Sequence, residues 1–297
     1  MFKKKFSGVL FFCFIGTYAH SAEPAKHVLE TKNDTNPCKT NGWDIAISTL
    51  YLQPSSVLHT PLVSETNNTI SQRRFIKTLY DWGFGLEGSY YFDKAHQVTV
   101  DWLNFSDKNS GIYSLSELND ASFSASTKIN VVNVVYVQGT KLGANSAMKL
   151  FLGGQFASFR NQNNTILTTP QGTFQTTNIS HYNGVGPRLG ANLSQELPHG
   201  FNAFAQGAMS LLIGNEKGKQ FGLTNLSVYN HSMQMVPNLD FKLGLGYDIN
   251  MNKAAISVTG GWMFQHYFDV ILMNDEKSTY GYSLNGPYIK AKWTSMV

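Results

Sequence analysis

A chain of 297 residues that is 42% hydrophobic and 14% charged carries ample apolar surface for a folded core, so it is not disordered. Its charged fraction lies well below the ~25% usual in soluble domains, and 20 Phe, 14 Tyr and 5 Trp make it rich in aromatics. Past the N-terminus no run of roughly 18 apolar residues occurs, which excludes a helical membrane protein and leaves a β-structured one as the leading class.

The chain opens with Lys3, Lys4 and Lys5, followed by an apolar stretch from Phe6 to Tyr18 that is too short to span a bilayer. Ala19-His20-Ser21-Ala22 then supplies small residues for cleavage. Residues 1–22 read as a signal peptide, the alternative being an uncleaved anchor. Without those lysines the charge is nearly balanced, and no basic stripe points to a nucleic-acid partner. Residues 23–42 read as a periplasmic segment. It holds Cys38, which in a mature chain is the single thiol. One thiol cannot make an internal disulfide, so Cys38 is either idle or forms an intermolecular bridge.

From residue 43 to 297 the sequence reads as ten strands by period-2 alternation. They are Trp43–Leu52, Trp82–Phe92, Gln97–Phe105, Lys128–Val137, Lys149–Phe159, Asn183–Ser194, Phe201–Ile213, Asn238–Ile249, Ala254–Tyr267 and Gly286–Trp293. The pattern is clearest in Trp82–Phe92 and equally clear in Asn238–Ile249. There Leu239, Phe241, Leu243, Leu245, Tyr247 and Ile249 take one face and Asp240, Lys242, Gly244 and Gly246 the other. It is weakest in Lys128–Val137, where Val131, Val132, Val134 and Val135 blur which face is apolar.

The connections alternate in length. Gln53–Asp81, Ser106–Thr127, Arg160–Tyr182 and Gly214–Pro237 are long and Phe268–Asn285 is intermediate to long, whereas Asp93–His96 and Asn250–Lys253 are tight, Gln195–Gly200 is short and Gln138–Met148 is shorter than the long ones. Outer-membrane barrels show this asymmetry, with short periplasmic turns and long extracellular loops. Hydrocarbon leaves no water for an open sheet edge, so a membrane sheet must close, and ~9–11 tilted residues per strand suffice. The expected fold is all-β, a transmembrane antiparallel up-and-down barrel of about ten strands, with eight to twelve compatible. A soluble lipocalin-like barrel with its apolar face inward is the alternative.

No motif calls for a cofactor, a metal or catalysis. Gly83-Phe84-Gly85-Leu86-Glu87-Gly88 fits a dinucleotide fingerprint, but Ser89-Tyr90-Tyr91-Phe92 continues a strand where that motif needs a helix. The eight histidines are scattered, and no G-x-S-x-G or H-E-x-x-H occurs. A more informative set is Glu87, Asp101, Arg188, Asp240, Lys242, Lys290 and Lys292. Each alternates with apolar neighbours, and Arg or Lys facing lipid near the midplane costs ~2–4 kcal/mol, so all seven are expected to line the lumen. They would form either a conducting path or an ion-pair plug.

Several blocks of this sequence are familiar. Cys38 ahead of Trp43-Asp44-Ile45, Tyr51-Leu52-Gln53-Pro54, Trp82-Gly83-Phe84, Asp101-Trp102, Asn183-Gly184-Val185-Gly186-Pro187-Arg188, Lys242-Leu243-Gly244-Leu245 and Gly286-Pro287-Tyr288 resemble the Legionella-type major outer membrane protein family. The resemblance implies a bacterial outer-membrane barrel with porin-like activity and disulfide-linked homo-oligomers, for which only Cys38 is present. The function expected is a non-enzymatic diffusion channel for ions and small polar solutes. A plugged surface-structural or adhesive barrel, meeting host or surface ligands at its loops, is the second reading, and a hydrolase at the barrel rim the third.

Overall fold

The computed structural model describes residues 42–56, 79–93, 95–116, 119–170, 172–221, 226–251, 254–273 and 278–295. Residues 1–22, read above as a signal peptide, and Cys38 lie outside the described residues. Ten strands are present: β1 (Gly42–Ser56), β2 (Asp81–Tyr91), β3 (His96–Ser116), β4 (Asn119–Lys141), β5 (Ser146–Thr169), β6 (Gly172–Glu196), β7 (Phe201–Phe221), β8 (Leu226–Asn250), β9 (Ala254–Met273) and β10 (Ser278–Ser295). Each pairs antiparallel with its chain neighbours, and β1 pairs with β10 to close the barrel. Closure removes the free sheet edges that hydrocarbon could not solvate.

At one end the connections are tight. Between β2 and β3, Asp93 Oδ1 accepts the backbone N–H groups of Ala95 at 2.7 Å and His96 at 2.8 Å, so a single carboxylate organises the turn. Between β6 and β7 the chain reverses through Pro198–Gly200, where His199 and Gly200 adopt positive φ.

At the other end the structure corrects the sequence reading. Three stretches expected as long loops, from 106 to 127, 160 to 182 and 214 to 237, are mostly strand. β3 runs to Ser116 and β4 starts at Asn119, while β5 and β6 stay paired from Ser146↔Gln195 out to Thr169↔Gly172. The physical reason is that polar residues occupy much of both faces of these arms, Phe123 and Ala125 forming a short buried apolar pair among them. Asp107, Thr127, Asn161 and Asn163 are buried inward, and Lys108, Lys128, Arg160 and Gln162 point outward. Backbone pairing carries on while the apolar alternation that betrays a strand is gone. Of the expected long loop Gln53–Asp81, residues 57–78 lie outside the described residues.

The outward face is an apolar belt. Leu152, Val185, Leu245 and Ile289 are 60–63% exposed, which is expensive in water and ordinary against lipid tails. Aromatic rings edge this belt. Trp43 and Trp293 meet at 4.7 Å near the tight-turn end, and Tyr51 and Trp82 at 4.8 Å towards the other.

Candidate functional site in the barrel lumen

The inward face divides into a charged layer on the tight-turn side and an apolar layer above it. Glu87, Asp101, Arg188, Asp240, Lys242, Lys290 and Lys292 occupy the strand phase opposite the exposed apolar residues, and the register sorts them into separate groups. Arg188 of β6 reaches across β7 to pair with Asp240 of β8, both side chains only 4% exposed. On another part of the wall Lys290 of β10 reaches across β1 to Glu87 of β2 at 3.3 Å.

Both bridges pass over a strand that offers small residues. Ala208 and Ser210 lie under the first, and Ala46 and Ser48 under the second. Larger side chains there would hold the charges apart. Lys292 lies 3.8 Å from Asp44, whose other contact is the Tyr91 hydroxyl, donating at 2.7 Å. Asp101 accepts a hydrogen bond from Asn133 Nδ2 at 2.8 Å. Among the described residues Lys242 makes no ion pair within 4 Å.

Sequence reasoning missed Asp44, Tyr91, Asn133, Lys149 and Gln155, which share this layer. The signal was available for Asp44 and Tyr91. Each alternates with Trp43 and Ile45, or with Tyr90 and Phe92, under the rule that found Glu87. Gln155 and Asn133 carry no charge, and a neutral amide is a weak marker of orientation. Gln155 is 1% exposed and accepts a hydrogen bond from Ser210, whose hydroxyl also lies 3.1 Å from Asn238 Oδ1.

Above the charges the lumen is filled. Leu52, Phe105, Ile129, Tyr182, Leu212, Tyr267, Tyr282 and Leu284 are all 0% exposed and belong to one packed cluster with Phe159 and Val131. These side chains come from eight of the ten strands. Phe159 of β5 lies 4.5 Å, ring to ring, from Tyr267 of β9 and 6.3 Å from Tyr282 of β10. β5 and β10 are five places apart in a ring of ten, so this contact spans the lumen. Burying each large side chain contributes about 1.5–3 kcal/mol. The layer is therefore a septum and a core at once.

His266 and Ser283 make a polar contact of 2.6 Å, but the histidine sits on the outward wall against Phe264 and Phe268. Its place gives the imidazole a partner where the surroundings are apolar.

The model of the Legionella pneumophila major outer membrane protein precursor family matches residues 35–295. The chain belongs to this family. As a major outer membrane protein it resides in the outer membrane, so the tight turns are periplasmic and the extended hairpins extracellular. None of the curated proteins compared with it matches. Solved barrels that resemble this family member include the outer membrane protease OmpT from Escherichia coli, at 10% identity, covering 90% of this chain and 99% of that one with a TM-score of 0.49. Ail, the attachment invasion locus protein of Yersinia pestis, aligns at 10% identity over 86% of this chain and 99% of its own, TM-score 0.30. The P. putida toluene transporter TodX aligns at 8% identity over 86% and 90%, TM-score 0.33.

Proposed function

We propose that this protein is a closed, surface-displaying outer-membrane barrel whose septum seals the lumen while the extended hairpins present polar strands to the outside. The observation that carries this reading is the ring contact of Phe159 with Tyr267 and Tyr282 across the barrel. An ion entering such a layer would lose its hydration with nothing to replace it, and apolar constrictions stop conduction by dewetting. The test is conductance of the folded, purified protein in planar bilayers. The expected result is no discrete openings. Stable, ohmic steps from the wild type would overturn the reading.

The diffusion channel for ions and small polar solutes remains the second reading, and one observation favours it. Charged side chains line the lumen below the septum, and Lys242 among them is not neutralised by a direct partner. Conduction would then require the septum to part. In a conducting barrel, changing Lys242, Lys290 and Lys292 to Gln should shift the zero-current potential towards greater cation permeability, because an ammonium in a narrow pore repels cations. Identical potentials would remove these lysines from the path. Oligomers bridged through Cys38 belong to the proposal too, and comparison of reduced and non-reduced samples of the Cys38→Ser variant tests them.

A further inference from the structure

The outer wall of β4 to β7 changes in three ordered rows as it leaves the apolar belt. The last apolar row pairs Val132, Phe156, Val185 and Ile213 side by side. Two residues further out, Asn130, Ser158, Asn183 and Asn215 form a row of amides and one hydroxyl. Two residues beyond that, Lys128 stands opposite Arg160, Arg160 opposite His181, and His181 opposite Lys217. Lys128, Arg160 and Lys217 are exposed and His181 is half-buried. Each residue in this last row is a direct cross-strand neighbour of the next, with Cβ atoms about 5 Å apart.

Like charges placed opposite one another weaken a sheet, yet here three fixed cations and a histidine share one row. Among the described residues no acidic side chain relieves them on that face. Glu216 of β7 and Asp107 of the neighbouring β3 are buried inward, and Glu216 accepts from Ser180 Oγ at 2.7 Å.

Each cation lies four residues beyond the last apolar residue of its own strand, about 13 Å along the strand or about 10 Å along the barrel axis at a tilt near 40°, which carries it past the acyl chains towards headgroup level. Because the strands tilt, the row climbs obliquely across the wall. Arg and Lys stems are long enough to lie along the wall and turn their heads down towards that level.

We infer that Lys128, Arg160, His181 and Lys217 form a binding site for the phosphate groups of a phosphorylated glycolipid in the outer leaflet. The amide and hydroxyl row beneath offers hydrogen bonds to sugar hydroxyls, and Val132, Phe156, Val185 and Ile213 receive the acyl chains. Arg160 supplies the planar fork that grips phosphate bidentately, and Lys128 and Lys217 supply point charges on either side.

The experiment uses the full mature chain, folded in zwitterionic detergent and titrated with diphosphorylated lipid A. Bound lipid is counted by native mass spectrometry, and folding of each variant is checked by heat-modifiable migration. The triple variant Lys128→Gln, Arg160→Gln, Lys217→Gln should bind at least about tenfold more weakly, since several charge-assisted hydrogen bonds are lost. Lys141→Gln, at the periplasmic end of β4, should bind as the wild type does. The charge-keeping variant Lys128→Arg, Arg160→Lys, Lys217→Arg should recover most of the affinity. Should the triple variant not fold, Arg160→Gln alone must still lower affinity by about threefold.

Equal affinity of a folded triple variant would overturn the inference. So would equally tight binding of dephosphorylated lipid A, which would mean the belt alone holds the lipid. Binding of inorganic pyrophosphate as tight as that of lipid A would assign the row to free anions and overturn the lipid reading.

Discussion

The Arg188–Asp240 pair offers a sharp test of how charge is held inside this barrel. Both residues are buried, at 3% and 6% exposed, and the partner of each lies two strands away. Asp240→Ala removes the carboxylate and leaves a guanidinium enclosed without its counter-charge, which costs about 3–5 kcal/mol. The double variant Arg188→Met, Asp240→Leu removes both charges and fills the space with apolar atoms. That exchange is close to neutral, within about 1–2 kcal/mol, because the lost attraction and the recovered desolvation offset each other.

The Lys290–Glu87 pair provides the internal comparison. Its side chains are each 29% exposed and water screens them, so Glu87→Gln should cost about 1 kcal/mol or less. The assay is urea titration of the barrel in lipid vesicles, with folded and unfolded populations separated by heat-modifiable migration. The expected order of destabilisation is Asp240→Ala far above the double variant and above Glu87→Gln. If the double variant is as damaged as Asp240→Ala, or Glu87→Gln costs as much, then the pair is not enclosed as described.

Three further outcomes are expected. Leu243 is 47% exposed on the outward face opposite Trp262 and Ala205, so Leu243→Arg should lower the yield of folded barrel by about 2–4 kcal/mol, and the inward Lys242→Leu by less than about 1; equal yields would show the strand phase to be wrong. Phe159→Ala with Tyr282→Ala removes two rings from the septum and should let the barrel conduct where the wild type does not, at a cost of up to about 3–5 kcal/mol per ring; a folded variant with unchanged bilayer currents would mean the seal lies elsewhere. The hydrogen bond from His96 holds the Asp93 carboxyl below its ordinary value of 3.8. A lowered folded pKa means that the turn's contribution is complete above the ordinary range and is lost as pH falls through the lowered one. Folding midpoints of wild type and Asp93→Ala should therefore differ at neutral pH and converge in strong acid, and a constant difference across that range would refute the link.

How much of this was legible in the residues depends on what each face touches. Between Asn238 and Ile249 hydrocarbon lies on one side and polar lumen on the other, so a strict alternation records the strand, its phase and the inward place of Asp240 and Lys242. In Lys128–Val137 the record is blurred for a reason found only in three dimensions. Val131 and Val135 pack into the lumen while Val134 faces outward, so both faces are apolar. From 106 to 127, polar Asp107 and Thr127 face inward and Lys108 outward, with Phe123 and Ala125 a short buried apolar pair, so the alternation is too brief and too weakly apolar to mark the hairpin.

The amino-acid sequence by itself determined the β class, about ten strands, the alternation that sets the seven charged residues opposite apolar ones and the likeness to an outer-membrane family. Those properties are local, because a period of two is imposed on each strand by the two media it separates. Tertiary structure alone decided which charges meet and whether the lumen is filled. Arg188 finds Asp240 only because the register sets Ala208 and Ser210 between them, and Phe159 reaches Tyr267 only because ten strands close to a radius that ring pairs can span. Neither distance is written in any one strand; both follow from closure.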